Sequence, residues 1–310
     1  MRVSTVTMFE QSTNALNRQQ GEFLKVGQQI ASGRRVVNPS DDPQASSRAV
    51  AVSQAKAVTE QYADSRISAR NSLSQVESVL NSVSDAIASA KTLLIQGAND
   101  TLSDADRESV AAELNGIYQT LIGQANATDG NGRYLFGGYK DDVPPFQEII
   151  AGVITYEGDT NVRQQRVDAT RLMEVSENGS TIFSFEDSEG NEVKLFETLE
   201  NALGALSDPD NPDPGFDFRE TINASMRELD ASLDNVLTRR ASVGARLNEL
   251  DVVDSVAGNR MLNYEQTLSD LVDLDYAEAI SEYSLRQVGL QAAQKAFVDI
   301  KSLSLFDYLR

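Results

Sequence analysis

Apolar residues recur at alternating steps of four and three through Ile222, Met226, Leu229, Leu233, Val236, Val243, Leu247 and Leu250. The register continues through Ala257, Met261, Tyr264, Leu268 and Leu271, and only Arg240 and Asp254 interrupt it. A helix that keeps its apolar residues on a seven-residue repeat presents one straight seam, and another helix has to fill that seam. At about 1.5 Å per residue this stretch would be roughly 75 Å long. A compact globular domain has no room for it. The pattern predicts helices packed as a rod, so the first constraint on this chain is mechanical.

A second seam lies earlier. Leu73, Val76, Leu80, Val83, Ile87 and Leu94 follow the same steps on a helix expected from about residue 43 to about residue 96. Asp42 followed by Pro43 is a strong helix start, as N-cap and first helical residue. Ahead of it, Phe9, Leu16, Phe23 and Ile30 recur every seven residues among glutamines, which predicts a first helix with a thin apolar stripe. Gly33 then fits a helix C-cap. A third helix is expected to begin at Ser103 or Asp104, carry Val110, Leu114, Ile117 and Leu121 on one face, and end in the turn-rich segment 128–132.

The character changes after Tyr139. Pro144 and Pro145 exclude a helix there. Residues 153–156 and 181–185 are β-branched or aromatic and flanked by turn residues, which predicts strands. A short helix is expected over 196–206, then an exposed acidic loop over 208–217. From Asp275 an apolar stripe resumes through Ile280, Leu285, Val288, Ala292, Phe297, Ile300, Leu303, Leu305, Phe306 and Leu309. The expected fold is mainly α with a β-rich insert (α+β), with long heptad helices from both ends of the chain packed together. The expected organisation is terminal helices over 1–42 and 262–310, a helical rod over 43–140 and 216–261, and an outer insert over 141–215.

The seams differ in what they can support. Those over 69–94 and 222–250 read as an intramolecular bundle, with Leu229, Leu233, Val236, Val243, Leu247 and Leu250 facing the residues of the earlier seam. The terminal stripes are thinner. Burying one such side chain contributes about 1.5–3 kcal/mol, while ordering each residue costs about 1–2 kcal/mol of backbone entropy. Phe9, Leu16, Phe23, Ile30, Ile280, Val288, Phe297, Ile300, Leu303, Phe306 and Leu309 are therefore candidates for packing against neighbouring subunits.

Composition narrows the chemistry. The chain has no Cys, Trp or His. That excludes disulfides, thiolate nucleophiles, histidine bases and most zinc sites. A formal net charge of −20 and only 6% aromatics oppose binding to nucleic acid or to anionic membranes. No stretch is apolar enough to span a bilayer, and the first residues carry no cleavable secretory signal. Asp129, Asn131 and Arg133 have the spacing of a calcium loop, but Tyr134 stands where glycine is needed and Lys140 where a bidentate glutamate is needed. The Gly-rich run after Asn131 lacks the Gly-Lys-Ser/Thr of a phosphate loop. Asp41 and Asp42 are explained by capping, and Arg240 is expected to meet a carboxylate on a facing helix. No catalysis, cofactor or metal is expected.

Residues 29–36 (Gln-Ile-Ala-Ser-Gly-Arg-Arg-Val), followed by 38–43 (Asn-Pro-Ser-Asp-Asp-Pro), resemble the N-terminal signature of the bacterial flagellin superfamily. The Asp-Asp-Pro form, residues 131–138 (Asn-Gly-Arg-Tyr-Leu-Phe-Gly-Gly) and Pro145-Phe146 resemble the hook-associated protein 3 family within it. Residues 240–247 (Arg-Ala-Ser-Val-Gly-Ala-Arg-Leu) and the ending Ser304-Leu305-Phe306-Asp307-Tyr308-Leu309 point the same way. The resemblance implies a flagellin-like structural protein of bacterial motility, secreted to the flagellum, at the hook–filament junction. It implies type III export of an unfolded chain without a cleaved signal, and a chaperone on the C-terminal segment. Its implied partners are further copies of itself in a ring, the other junction protein and flagellin. Residues 1–30 would serve export and core packing, and 276–309 chaperone binding and core packing. The rival readings are flagellin itself, a secreted adhesin or delivery-tip protein, and, more distantly, a carboxylate enzyme.

Overall fold

The computed structural model describes residues 5–150, 153–187, 190–211 and 215–308, and no side chains are described at 5, 6, 149, 150 or from 300 onward. Three helices come first: α1 (Thr5–Ser32), α2 (Pro43–Gly97) and α3 (Asp104–Ala125). Four strands follow, β1 (Phe146–Ile150), β2 (Val153–Tyr156), β3 (Gln164–Asp168) and β4 (Arg171–Glu174). Then come α4 (Gly179–Phe183), β5 (Ser184–Glu186), β6 (Glu192–Lys194) and α5 (Leu195–Ser207). Two long helices close the chain, α6 (Phe218–Val272) and α7 (Tyr276–Tyr308). The strands form three separate antiparallel hairpins, β1–β2, β3–β4 and β5–β6. No helix of the described residues is long and apolar enough to cross a membrane.

The chain divides into two compact units, Met1–Thr59 with Gly258–Arg310, and Glu60–Ala257. The second holds the large core. There α2 and α6 run antiparallel, as their cross-pairs show: Arg66 with Asp254, Arg70 with Asp251 at 2.7 Å, Lys91 with Asp230 and Asp100 with Arg219. On α2 both rows of the seam are buried, Leu73, Leu80, Ile87 and Leu94 together with Val76, Val83 and Ala90. On α6 the two rows differ. Ile222, Leu229, Val236, Val243 and Leu250, spaced seven apart, are fully buried, while Met226, Leu233 and Leu247 line the edge of the core half-buried. Arg240 and Asp254 belong to that edge row, so neither polar interruption lies at the centre of the core.

Among the described residues Arg240 pairs with no carboxylate. Its Nη1 donates to the hydroxyl of buried Ser84 at 3.3 Å, which corrects the expected ion pair. Asp254 is answered by Arg66, on the line of the α2 seam and almost wholly buried.

α3 begins with a capping box. Ser103 accepts the Asp106 N–H at 3.3 Å, and Asp106 accepts the Ser103 N–H at 3.2 Å. Val110, Leu114 and Leu121 of α3, with Leu199, Ala202 and Leu206 of α5, join the same core. Phe183 stands among Phe136, Phe146 and Phe196 at centroid distances of 5.8, 5.1 and 5.6 Å, an aromatic cluster that seats the strand-containing segment on the helices.

Residues 181–185 are not one strand. Asn178 caps α4 by accepting the Ser180 N–H at 2.8 Å. Asn235 on α6 donates its amide to the Thr181 and Ile182 carbonyls, both at 3.0 Å. Those carbonyls are thereby taken from any ladder, and only Ser184–Glu186 extends.

Leu80→Ala removes a side chain from the buried row and should lower the stability of this unit by about 3 kcal/mol. Leu233→Ala, on the edge row, should cost less than half as much. Equal shifts of the denaturant midpoint would contradict the two-row description.

Candidate assembly surface

The first unit is built around two connectors. Gly33 ends α1 at φ +68°, a state glycine adopts without strain. Arg34 then forms a β-bridge with Asp273, between α6 and α7. The Arg35 N–H donates to Val272 O at 2.8 Å, the Leu274 N–H to Gly33 O at 3.1 Å, and Arg35 Nη2 to Leu271 O at 2.8 Å. Asp41 accepts the N–H groups of Val37 and Asn38 at 3.2 and 2.9 Å and pairs with Lys25 at 3.0 Å. The Asn38 N–H and then Lys25 hold its carboxyl below the usual value of 3.8. Asp42 caps α2 through the Ala45 N–H at 2.9 Å. Asp42 also pairs with Arg35 at 3.2 Å, so the Asp41-Asp42 pair is occupied by backbone, a lysine and an arginine, with no free carboxylate left for acid–base work.

Beyond the connectors, α1 and α7 pair antiparallel. Phe23 packs on Tyr283 at 4.7 Å and Phe9 on Phe297 at 5.3 Å, between centroids. Glu22 pairs with Arg286. A Cβ on Gly289 would lie 3.3 Å from the Gln19 amide, so the helices approach closely there. Of the predicted terminal stripe, Phe23 and Phe297 are half-buried in this hairpin, Leu16 and Ile30 are half-buried, and Phe9 is exposed despite its ring contact. Ile300, Leu303, Phe306 and Leu309 lie outside the residues whose side chains are described.

Ile280 and Val288 take the opposite course, at 55% and 65% exposure. Leu285 and Val298 are exposed at 72% and 61%. With 3.6 residues per turn, Leu285 and Val288 lie on the side of α7 away from Ala279, Tyr283, Arg286 and Phe297, which face α1, while Ile280 and Val298 lie on its flank. α7 is therefore apolar on two opposed sides, and the hairpin covers one of them. Among the described residues of this unit the buried apolar side chains are Val26, Val36, Ala45 and Ala279, a small set for helices of this length. Sequence reasoning passed over Val298, and also Met8 and Leu24 on α1, which are exposed. They fall off the seven-residue spacing; the available signal was an apolar residue on a face otherwise made of glutamine, serine and charge.

In the second unit charge holds the β3–β4 hairpin to the helices. Arg66 Nη1 donates to Val167 O at 3.0 Å and its Nε to Asp254. Arg171 pairs with Glu249, and Arg246 with Glu174 and Glu177 at 3.1 and 2.7 Å. Burial pushes the Glu177 carboxyl up, against the pull of Arg246. Burial also raises Asp254, but hydrogen bonds from Arg66 and Arg70 outweigh it and hold the group below 3.8. A depressed carboxylate stabilises the fold above its unfolded value, and that contribution is lost as pH falls through the folded value. Glu177 works the other way and favours the fold as it protonates. Arg66→Met should therefore destabilise this unit by about 2–3 kcal/mol at neutral pH. Its melting temperature should fall less steeply than the parent's below pH 3.8. Parallel acid profiles would show that Asp254 does not depend on Arg66. Among the described residues no acidic group of three or more is arranged to hold a metal ion.

Among known proteins, the bacterial flagellin N-terminal helical region matches residues 3–141. The flagellar hook-associated protein 3 of Escherichia coli strain K12 is 42% identical over 316 residues, with 99% of each chain covered. The protein of the same name from Salmonella typhimurium strain LT2 is 41% identical over 320 residues, covering all of both chains. A solved structure of a hook-associated protein from Vibrio parahaemolyticus superposes with a TM-score of 0.68 at 26% identity, over 75% of this chain and 100% of that one.

Proposed function

Since the chain belongs to the flagellar hook-associated protein 3 family, we propose that α7 joins neighbouring subunits through the apolar side its own hairpin leaves open. The protein is a structural component of the bacterial flagellum, at the junction of hook and filament. It acts by being assembled there. Ile280, Leu285, Val288 and Val298 are the contacts supplied to the next copy in a ring. The half-buried α1 stripe of Leu16, Phe23 and Ile30, with Phe9, keeps α7 presented. Ile300, Leu303, Phe306 and Leu309 would extend the packed surface toward the end of the chain. Flagellin and the other junction protein are the expected neighbours above and below.

The observation that carries this reading is the two-sided α7. A helix with apolar sides facing opposite ways needs a partner on each, and one chain provides a single partner. The same thinness suits passage through a type III apparatus as an unfolded chain. A terminal pair with few buried apolar groups orders at little gain on its own, so it stays extended in transit, and a chaperone on the C-terminal segment would cover its apolar residues until docking. The expected organisation serves this role, with the terminal helices packing inward and the strand-containing segment at the outer surface.

Val288→Asp with Leu285→Asp tests the assignment. Both side chains already face solvent, so circular dichroism and the melting temperature of the soluble chain should be unchanged. Cells producing only this variant should lose filaments while keeping hooks, and immunolabelling should lose the short band at the distal end of the hook. Normal filaments on such cells would exclude this side of α7 as the joining surface.

A further inference from the structure

The chain contains three Asn-Gly pairs, at 115–116, 131–132 and 178–179. This dipeptide is prone to attack by the following backbone nitrogen on the asparagine side-chain carbonyl carbon, because glycine has no Cβ to hinder the approach. The structure separates the two conditions that control the reaction. Asn115 is exposed but lies inside α3, where the helical backbone turns the next nitrogen away from its side chain. Asn178 has an extended backbone but is buried. Its side-chain oxygen accepts from the Ser180 N–H and hydroxyl, both at 2.8 Å, and the Gly179 nitrogen is bound to Phe136 O at 3.1 Å. The rings of Phe146 and Tyr156 also press on Gly179, each 2.8 Å from where a Cβ would stand.

Asn131 alone meets both conditions. It lies outside any helix or strand, it is exposed, and nothing lies within 4 Å of where a Cβ on Gly132 would stand. The attacking nitrogen is restrained only within its own turn, by a hydrogen bond to Asp129 O at 3.0 Å. Opening that single bond is a local event, far less demanding than unfolding α3 or the aromatic cluster.

We propose that Asn131 is a site of intramolecular deamidation in the folded protein. The Gly132 nitrogen gives up its proton to solvent and bonds to Asn131 Cγ, the side-chain nitrogen takes up a proton from solvent, its bond to Cγ breaks, and ammonia leaves. Water then opens the resulting five-membered imide. Opening on one side yields aspartate, and opening on the other yields isoaspartate, in which the main chain runs through the side chain. Either product disturbs the turn. Asp129 Oδ1 accepts the N–H groups of Asn131 and Arg133 at 2.8 and 2.9 Å, and a new carboxylate at 131 repels it. Isoaspartate also lengthens the backbone between Thr128 and Tyr134, which form a β-bridge just ahead of buried Leu135 and Phe136.

The full-length chain aged at physiological temperature and neutral pH provides the test. Peptide mass mapping reads the amide-to-acid change at each site, and isoaspartyl methyltransferase labelling reports the rearranged product. In the folded protein Asn131 should convert about tenfold or more faster than Asn115 and Asn178. In strong urea the three rates should converge, since the dipeptide is the same. Asn131→Gln should remove most of the folded-state signal. Equal rates at all three sites in the folded protein, or an unreactive Asn131 beside a reactive urea sample, would overturn the proposal.

Discussion

A helix satisfies its own backbone but not its own apolar side chains, and the whole chain answers to that constraint. Where α2 and α6 face each other, both rows of one helix and the buried row of the other close on a common core. α3, α5 and the aromatic cluster complete it. Where α1 and α7 face each other, rings meet in pairs while a second apolar side of α7 stays open to solvent. One part of the molecule is finished by its own chain. The other leaves an apolar side of α7 uncovered, and the proposed joining of subunits rests on that difference.

Polar groups refine the arrangement without driving it. Asp254 and Arg240 sit on the edge row of α6, so they cost less than their place in the heptad suggests. Arg66 is the exception, a buried guanidinium in the line of the α2 seam. It is tolerable because Asp254 and the Val167 carbonyl both accept from it. That placement ties α2, α6 and the β3–β4 hairpin through a single side chain.

Much of this was legible in the residues. The four-and-three spacing identified both long seams, Asp42-Pro43 and Ser103 marked helix starts, and Gly33 marked an end. Spacing alone could not distinguish the buried row of α6 from its edge row, because Leu233 and Val236 look alike until α2 and the hairpin are in place. Nor could it tell that Thr181 and Ile182 would yield their carbonyls to Asn235, a residue far along the chain. β propensity there lost to a tertiary hydrogen bond. At the proposed assembly surface the stripe residues were nameable in advance. Which of them would turn inward and which outward depended on the pairing of α1 with α7.

Amide hydrogen exchange on the dilute, unassembled chain addresses the central claim most directly. Amides of α1 and α7 should exchange with little protection, opening at a free energy near zero. Those around Leu80, Leu114 and Val236 should be protected to the level of global unfolding. Protection of α7 equal to that of the α2–α6 core, at a concentration where only single chains are present, would contradict the account.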